Sequence, residues 1–178
     1  MTHTTTHKEA LNIAVLTVSD TRTEETDTSG GYLRSALLEA GHVLSDKQIV
    51  KDDIYQMRAI VSKWVADNEI HAILVTGGTG FTQRDSTPEA LMPLFDKTVD
   101  GFGELFRHIS YAEIDSSTIQ SRAVAGLANN TVIFCMPGST GACKTAWTKI
   151  IQNQLDSSYR PCNFVPHVMH GKLCQSRG

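Results

Sequence analysis

Apolar positions along this chain follow two rhythms: short unbroken runs, and longer stretches with apolar residues three or four apart. The run LNIAVLTV at 11–18 belongs to the first kind, the pattern of a strand buried on both faces. SDTRTEETDTS at 19–29 is a polar loop. GGYLRSALLEA at 30–40 has helical spacing and stops at Gly41, a residue suited to ending a helix. Residues 43–50 can form a second strand. The spacing predicts a helix over 53–67, with Ile54, Met57, Ile60, Val61, Trp64 and Val65 along one face. Residues 70–76 read as the third strand.

Strand, helix, strand, helix, strand in that order predicts right-handed βαβ units on a parallel sheet. A glycine-rich loop follows, then a short helix from a Ser86-Thr87-Pro88-Glu89 start through Leu94, with a hydroxyl cap and Pro in the first turn. FGELFRHISY at 102–111 supports another helix. Two apolar runs within 123–136, divided by Asn129-Asn130, predict a tight turn and one antiparallel strand. A last helix is expected over about 141–155. The prediction is an α/β fold, a three-layer α/β/α sandwich with a mostly parallel sheet and one antiparallel strand. It forms a single domain over 10–165, with tails at 1–9 and 166–178.

Composition narrows the function classes. The formal net charge of −3 argues against a general nucleic-acid or membrane-surface binder, which carries a basic excess. No apolar run is long enough to cross a bilayer, and the start of the chain is a polar Thr/His stretch. Cys135, Cys143, Cys162 and Cys174 lack the close spacing of a zinc or redox site, and Cys135 sits in an apolar strand pattern. These features together point to the cytoplasm.

Candidate chemistry gathers after the strands. Ligands of such sheets bind outside the carboxyl ends of the strands. Four loops there are rich in Ser, Thr, Gly and Asp: Ser19-Asp20-Thr21 with Asp27-Thr28-Ser29-Gly30; Lys51-Asp52-Asp53; 76–85; and Pro137-Gly138-Ser139-Thr140-Gly141. Any one of them fits a plain turn and helix cap. Four in one chain suit phosphate groups, because glycines admit close backbone approach and helix starts present unpaired N–H groups. The dinucleotide fingerprint fails, since Gly78-Thr79-Gly80 is followed by Gln83 where a third glycine belongs. The P-loop pattern from Gly138 to Thr145 fails at Cys143, which leaves Lys144 an ordinary helix residue. Asp52 and Asp85 suit Mg²⁺ beside phosphates, and each equally suits a helix cap or surface ion pair. Asp27 suits the cap of the first helix. His42, His71, His108, His167 and His170 make no recognisable metal or triad pattern.

The segments TVSDTR, DTSGGYL, AGH, VTGGTGFTQRDSTPEA, GFGELFR, SRAVAG and FCMPGS occur in an order that resembles the molybdenum cofactor biosynthesis proteins of the MoaB/MogA type, with gephyrin-type domains as relatives. The resemblance spans about residues 10–165. It implies a molybdopterin-binding domain assembled as trimers or dimers of trimers. It also implies adenylylation of molybdopterin by Mg·ATP with release of pyrophosphate. By the same resemblance Asp52 and Asp85 are the catalytic and Mg²⁺-holding carboxylates. Ser19, Ser29, Gly30, Gly138 and Ser139 match substrate-loop positions. Asp20, Gly77, Gly78, Thr79, Gly80, Ser121 and Pro137 complete the expected substrate-binding set, and Arg122 could reach an anion or pair on the surface. The VKDD context leaves Asp53 as the alternative to Asp52. A protein that holds molybdopterin without turning over ATP is the other reading of the same loops.

Overall fold

The computed structural model describes residues 8–169. Six strands form one sheet: β1 (Asn12–Val18), β2 (Val43–Val50), β3 (Ala72–Thr76), β4 (Lys97–Thr98), β5 (Val124–Ala128) and β6 (Thr131–Met136). Their order across the sheet is β2-β1-β3-β6-β5-β4. β1 pairs in parallel with β2 and β3, and β3 with β6. β5 runs against β6, and β4 against β5, so β5 alone opposes the common direction. The expected antiparallel strand is therefore β5. The two-residue β4 at the sheet edge carries too short a pattern to be read from sequence.

Helices cover both faces: α1 (Thr28–Glu39), α2 (Ile54–Ala66), α3 (Thr87–Leu91), α4 (Asp100–Ile114) and α5 (Thr140–Ala146), the last continuing through a π-helical turn at Trp147–Ile151. Alternate residues of the strands feed two cores, as a period of two requires. Ile13, Val15, Leu74 and Phe134 pack with Leu33, Phe106 and Trp147 beneath α1, α4 and α5. Ala14, Leu16, Ile73, Val75 and Cys135 pack with Met57, Val61 and Trp64 of α2 on the other face. That is the three-layer sandwich. Asn129 and Asn130, at φ 45 and 63, make the tight β5–β6 turn.

Three local differences have physical causes. α1 starts at Thr28, two residues before the apolar spacing begins, because buried Asp27 caps it by accepting the Gly30 N–H at 2.9 Å. α2 is capped by Asp53, whose carboxylate accepts the Tyr55 and Gln56 N–H groups, so Asp52 is not the cap. The packed chain also passes the expected boundary at 165. A short helix at Val165–Val168 buries both valines in the α1/α4/α5 core. His170 and Cys174 lie outside the described residues. No helix among the described residues is long and apolar enough to cross a membrane.

Candidate active site

The register brings Thr17 of β1 opposite Thr76 of β3, and Thr76 opposite Met136 of β6. Three strand ends thus stop side by side and their loops meet. The chain runs from β1 outward to β2, then returns to β3 on β1's other side, which makes this edge the switch point where open α/β sheets bind ligands. Gly77 at φ +103 and Gly78 at φ +66 turn the β3 loop upward in a conformation that side chains disfavour. A Cβ on Gly78 would overlap Thr87 Oγ1 and stand 2.7 Å from Asp52 Oδ2. The Thr87 hydroxyl donates to Gly77 O at 2.8 Å, and its N–H to Gly78 O at 2.9 Å. These bonds fold the start of α3 back under the loop. Among the described residues the N–H groups of Gly78, Thr79 and Gly138 donate to no protein acceptor.

Two carboxylates stand at the ends of the Gly78-Thr79-Gly80 turn, Asp52 against Gly78 and Asp85 against Gly80. Asp52, barely exposed, accepts both the N–H and the hydroxyl of Ser86 on Oδ1, while Oδ2 lies beside Gly78. Burial raises its pKa above the ordinary value, the Ser86 bonds oppose the rise, and the charge of Asp85 adds to it. Asp85 accepts the Thr82 N–H at 2.9 Å and hydroxyl at 2.7 Å. Burial would lift its carboxyl, but the Thr82 and Gly80 donors outweigh it and hold it below the usual range. The two carboxyls are thus shifted in opposite directions, Asp52 up and Asp85 down.

The arginines around the loop are largely spent on protein. Arg84 makes a two-pronged bond to Asp20 at 2.9 and 2.7 Å, and this bond first of all lowers the Asp20 pKa. Asp20 in turn accepts the Asp52 N–H. Arg122 pairs with Glu89 and also donates to Gly80 O at 2.9 Å and Asp85 O at 3.1 Å. Of its two expected roles it takes the ion pair, and it clamps the glycine loop from outside. Arg84 and Asp85, adjacent in sequence, do not pair with each other.

A cavity of about 560 Å³ opens above the three strand ends. Of the expected residues, Ser19, Ser29, Gly77, Gly78, Thr79, Gly80, Asp85, Ser121, Pro137, Gly138 and Ser139 line it. Asp20, Gly30 and Asp52 do not. Gly30 lies below the surface, where a Cβ would overlap Asp27 and Thr17, and Asp52 stands behind the glycine loop. The hydroxyl oxygen of Ser121 is buried and has no hydrogen-bond partner among the described residues. The far wall comes from α4 and the turn after it, with Phe106, Ser110, Glu113 and Gln120, and Arg22 reaches in from the β1 loop. The α4 residues among them carry no signal in the sequence, where α4 reads only as an amphipathic helix. Its polar residues face the cavity through tertiary packing. Cys143 is buried with its thiol 3.1 Å from Thr76 Oγ1, and burial pushes its pKa up to about 11, so it is a core thiol. No group of three or more His, Cys, Asp or Glu side chains among the described residues is placed to hold a metal by itself.

Residues 14–157 match the family model described as "probable molybdopterin binding domain". The chain belongs to this molybdopterin-binding family. It is 60% identical over 156 residues to molybdenum cofactor biosynthesis protein B of Escherichia coli (strain K12), covering 88% of this chain and 92% of that protein. A crystal structure of a molybdenum cofactor biosynthesis protein B superposes with a TM-score of 0.80 at 46% identity, over 83% of this chain and 92% of the other. The tungsten cofactor synthesizing protein MoaB from Pyrococcus furiosus gives a TM-score of 0.75 at 34% identity, over 83% and 93%. The chain is thus a molybdenum cofactor biosynthesis protein with a molybdopterin-binding domain, and its glycine loop lies at the carboxyl edge of the sheet.

Proposed function

We propose that the protein binds molybdopterin in this cavity and adenylylates it with Mg·ATP, releasing pyrophosphate. The observation that carries the reading is the pairing of unpartnered Gly78, Thr79 and Gly138 N–H groups with Asp52 and Asp85 at the two ends of the loop. Such amides suit phosphate oxygens. Carboxylates beside them would only repel phosphate unless a cation stands between. The side chains fit Mg²⁺ in its usual manner, which takes one or two carboxylates and completes its shell with substrate phosphates and water. Asp85, which lines the cavity, would hold it, with Asp52 contributing through the Oδ2 that Ser86 leaves free beside Gly78. The ion would neutralise charge on the nucleotide phosphates and on departing pyrophosphate.

The step is an in-line displacement. An oxygen of the molybdopterin phosphate attacks the α-phosphorus of ATP, a new P–O bond forms, and the bond to the β,γ-diphosphate breaks with its electron pair leaving on pyrophosphate. An ionised phosphate needs no base to deprotonate it, so no protein nucleophile is required. The protein's task is to hold two anions in line with fixed amide dipoles. Arg122 and Thr87 keep that backbone rigid from behind. Assembly as a trimer or dimer of trimers belongs to the same reading. The exposed apolar residues Leu105, Tyr111 and Ile119 are surface for assembly to cover.

Pyrophosphate release from molybdopterin, ATP and Mg²⁺ tests the proposal. Asp85→Asn should cut turnover by about 100-fold or more while molybdopterin binding stays within a few-fold. The carrier reading, molybdopterin binding without ATP turnover, draws on one observation: Asp52 Oδ1 is already engaged by Ser86. Tight binding with no pyrophosphate from the unmodified protein would decide for the carrier.

A further inference from the structure

We infer that Glu113 recognises the pterin ring of molybdopterin and thereby fixes which way round the substrate lies in the cavity. The inference rests on the molybdopterin reading above and adds the residue that selects the ring end. The cavity has two chemically different ends. At the strand ends it offers amide donors from the glycine loop and the Pro137-Gly138-Ser139 turn, with Asp85 beside them placed to share a Mg²⁺ with phosphate. On the α4 side it offers a carboxylate, Glu113, with Ser110 nearby on the same helix.

Glu113 is held in place. Both of its oxygens accept from the Thr145 hydroxyl, at 2.9 Å each, and Thr145 is buried on α5. Thr145 lies six residues beyond Ser139, the α5 cap, so it stands about 9 Å further along the helix than the phosphate end. Among the described residues Glu113 forms no ion pair with Lys, Arg or His. A single hydroxyl shared by two oxygens leaves each oxygen able to accept again.

A carboxylate there repels phosphate and favours a pair of adjacent N–H donors. The 2-amino-4-oxo edge of a pterin supplies such a pair, the ring N3–H beside the 2-amino group, in the spacing that two carboxylate oxygens accept. Phe106 and Ile114 supply apolar walls for the ring. The buried, unpartnered Ser121 hydroxyl is a further polar group for the ring's remaining edge. With the pterin at Glu113, the phosphate arm reaches toward the amides. The reverse orientation sets phosphate against the carboxylate.

The test titrates the full chain, as wild type, Glu113→Gln and Glu113→Ala, with pterin, with lumazine (which carries a 2-oxo group in place of the amine), with ATP and with GTP. Wild type should prefer pterin to lumazine by about tenfold or more. Glu113→Ala should lose that factor for pterin and molybdopterin while its ATP affinity is unchanged. Glu113→Gln should shift preference toward lumazine, because the amide can donate to the 2-oxo oxygen; a merely structural Glu113 would not exchange one specificity for another. Equal binding of the two rings by wild type, or unchanged pterin affinity in both variants, overturns the inference. The guanine of GTP carries the same edge as the pterin. If GTP displaces pterin from wild type and no longer binds Glu113→Ala, Glu113 serves a nucleotide and the inference is overturned too. The two readings fail separately. Glu113-dependent molybdopterin binding without pyrophosphate release removes adenylylation alone, and pyrophosphate release with an unchanged KM for molybdopterin in Glu113→Ala removes the role of Glu113 alone.

Discussion

Gly78 shows how little freedom the loop residues have. At φ +66, with Thr87 Oγ1 and Asp52 Oδ2 where a methyl would go, it admits no side chain without displacing a site carboxylate. Gly78→Ala should cost about 1–2 kcal/mol from the left-handed conformation alone, with overlap adding to it. Its melting temperature should fall by several degrees, and molybdopterin affinity should fall with it. Gly31, inside α1 with nothing within 4 Å of its Cβ position, is the matched control. Gly31→Ala should leave both measurements unchanged or raise stability slightly. Both residues read as plain glycine in the sequence. The pattern of three glycines in GGTG marked the loop as special, but it could not say that Asp52, more than twenty residues earlier, lies against its second glycine.

At the scale of elements, an ion pair outside the cavity holds the start of α1 to β2. Lys47 Nζ lies 2.9 Å from Asp27 Oδ2 and 2.9 Å from Glu24, with the Asp27 side chain fully buried. Asp27 also accepts the Thr17 hydroxyl at 2.8 Å and the Gly30 N–H, so it ties β1, β2 and α1 together beneath Ser29. Burial would raise its pKa, yet Lys47, Gly30 and Thr17 outweigh it and bring the carboxyl below its ordinary 3.8. Burial likewise opposes the charge on Lys47, and Asp27 and Glu24 lift its pKa above 10.5 all the same. The signs follow from linkage. The depressed Asp27 contributes stability above about pH 4 that is lost as pH falls through its folded value. The raised Lys47 contributes stability below about pH 10 that is lost as pH rises through its own. Lys47→Met, which leaves a buried carboxylate without its cation, should cost about 3–5 kcal/mol in urea unfolding at pH 7. Adding Asp27→Asn should restore part of the loss and flatten the acid limb. If Lys47→Met unfolds at the wild-type urea concentration, the pair does not anchor α1. Nothing in the run VLSDKQIV announces a lysine that reaches a buried carboxylate. The strand was legible there, and its partner was not.

For the whole molecule, His42 joins the first strand to the α1–β2 turn. Its Nδ1 accepts the Leu11 N–H at 3.1 Å, its Nε2 is buried without a partner among the described residues, and Trp147 meets its ring edge-on. Burial first, and Lys8 second, push its pKa down to about 4. A depressed histidine is neutral in the folded state, so its stabilising contribution is complete above pH 6.5 and is lost as pH falls toward 4. That is about 3 kcal/mol of pH-dependent stability. His42→Asn, whose amide oxygen can take over the Leu11 N–H, should remove most of the loss between pH 6.5 and 4 in thermal melts. An unchanged acid slope in that variant would place the titration elsewhere.

Local order in this protein was determined by the sequence alone. Unbroken apolar runs specified β1, β3 and β6, helical spacing specified α2, α4 and α5, and Asn129-Asn130 specified the hairpin turn, because each of these patterns acts between residues a few positions apart. The GGTG and PGS segments were likewise legible as glycine-rich turns following strands, because turn chemistry is local. Only the tertiary structure decided which acid does what. Asp52 and Asp53 are neighbours with the same chemistry, and which one caps α2 depends on where Ser86 arrives after a turn through β3. The far wall of the cavity, Glu113 included, exists only because α4 and α5 pack side by side on one face of the sheet. A contact between residues far apart in sequence is set by how whole elements dock, and short-range periodicity carries no record of it.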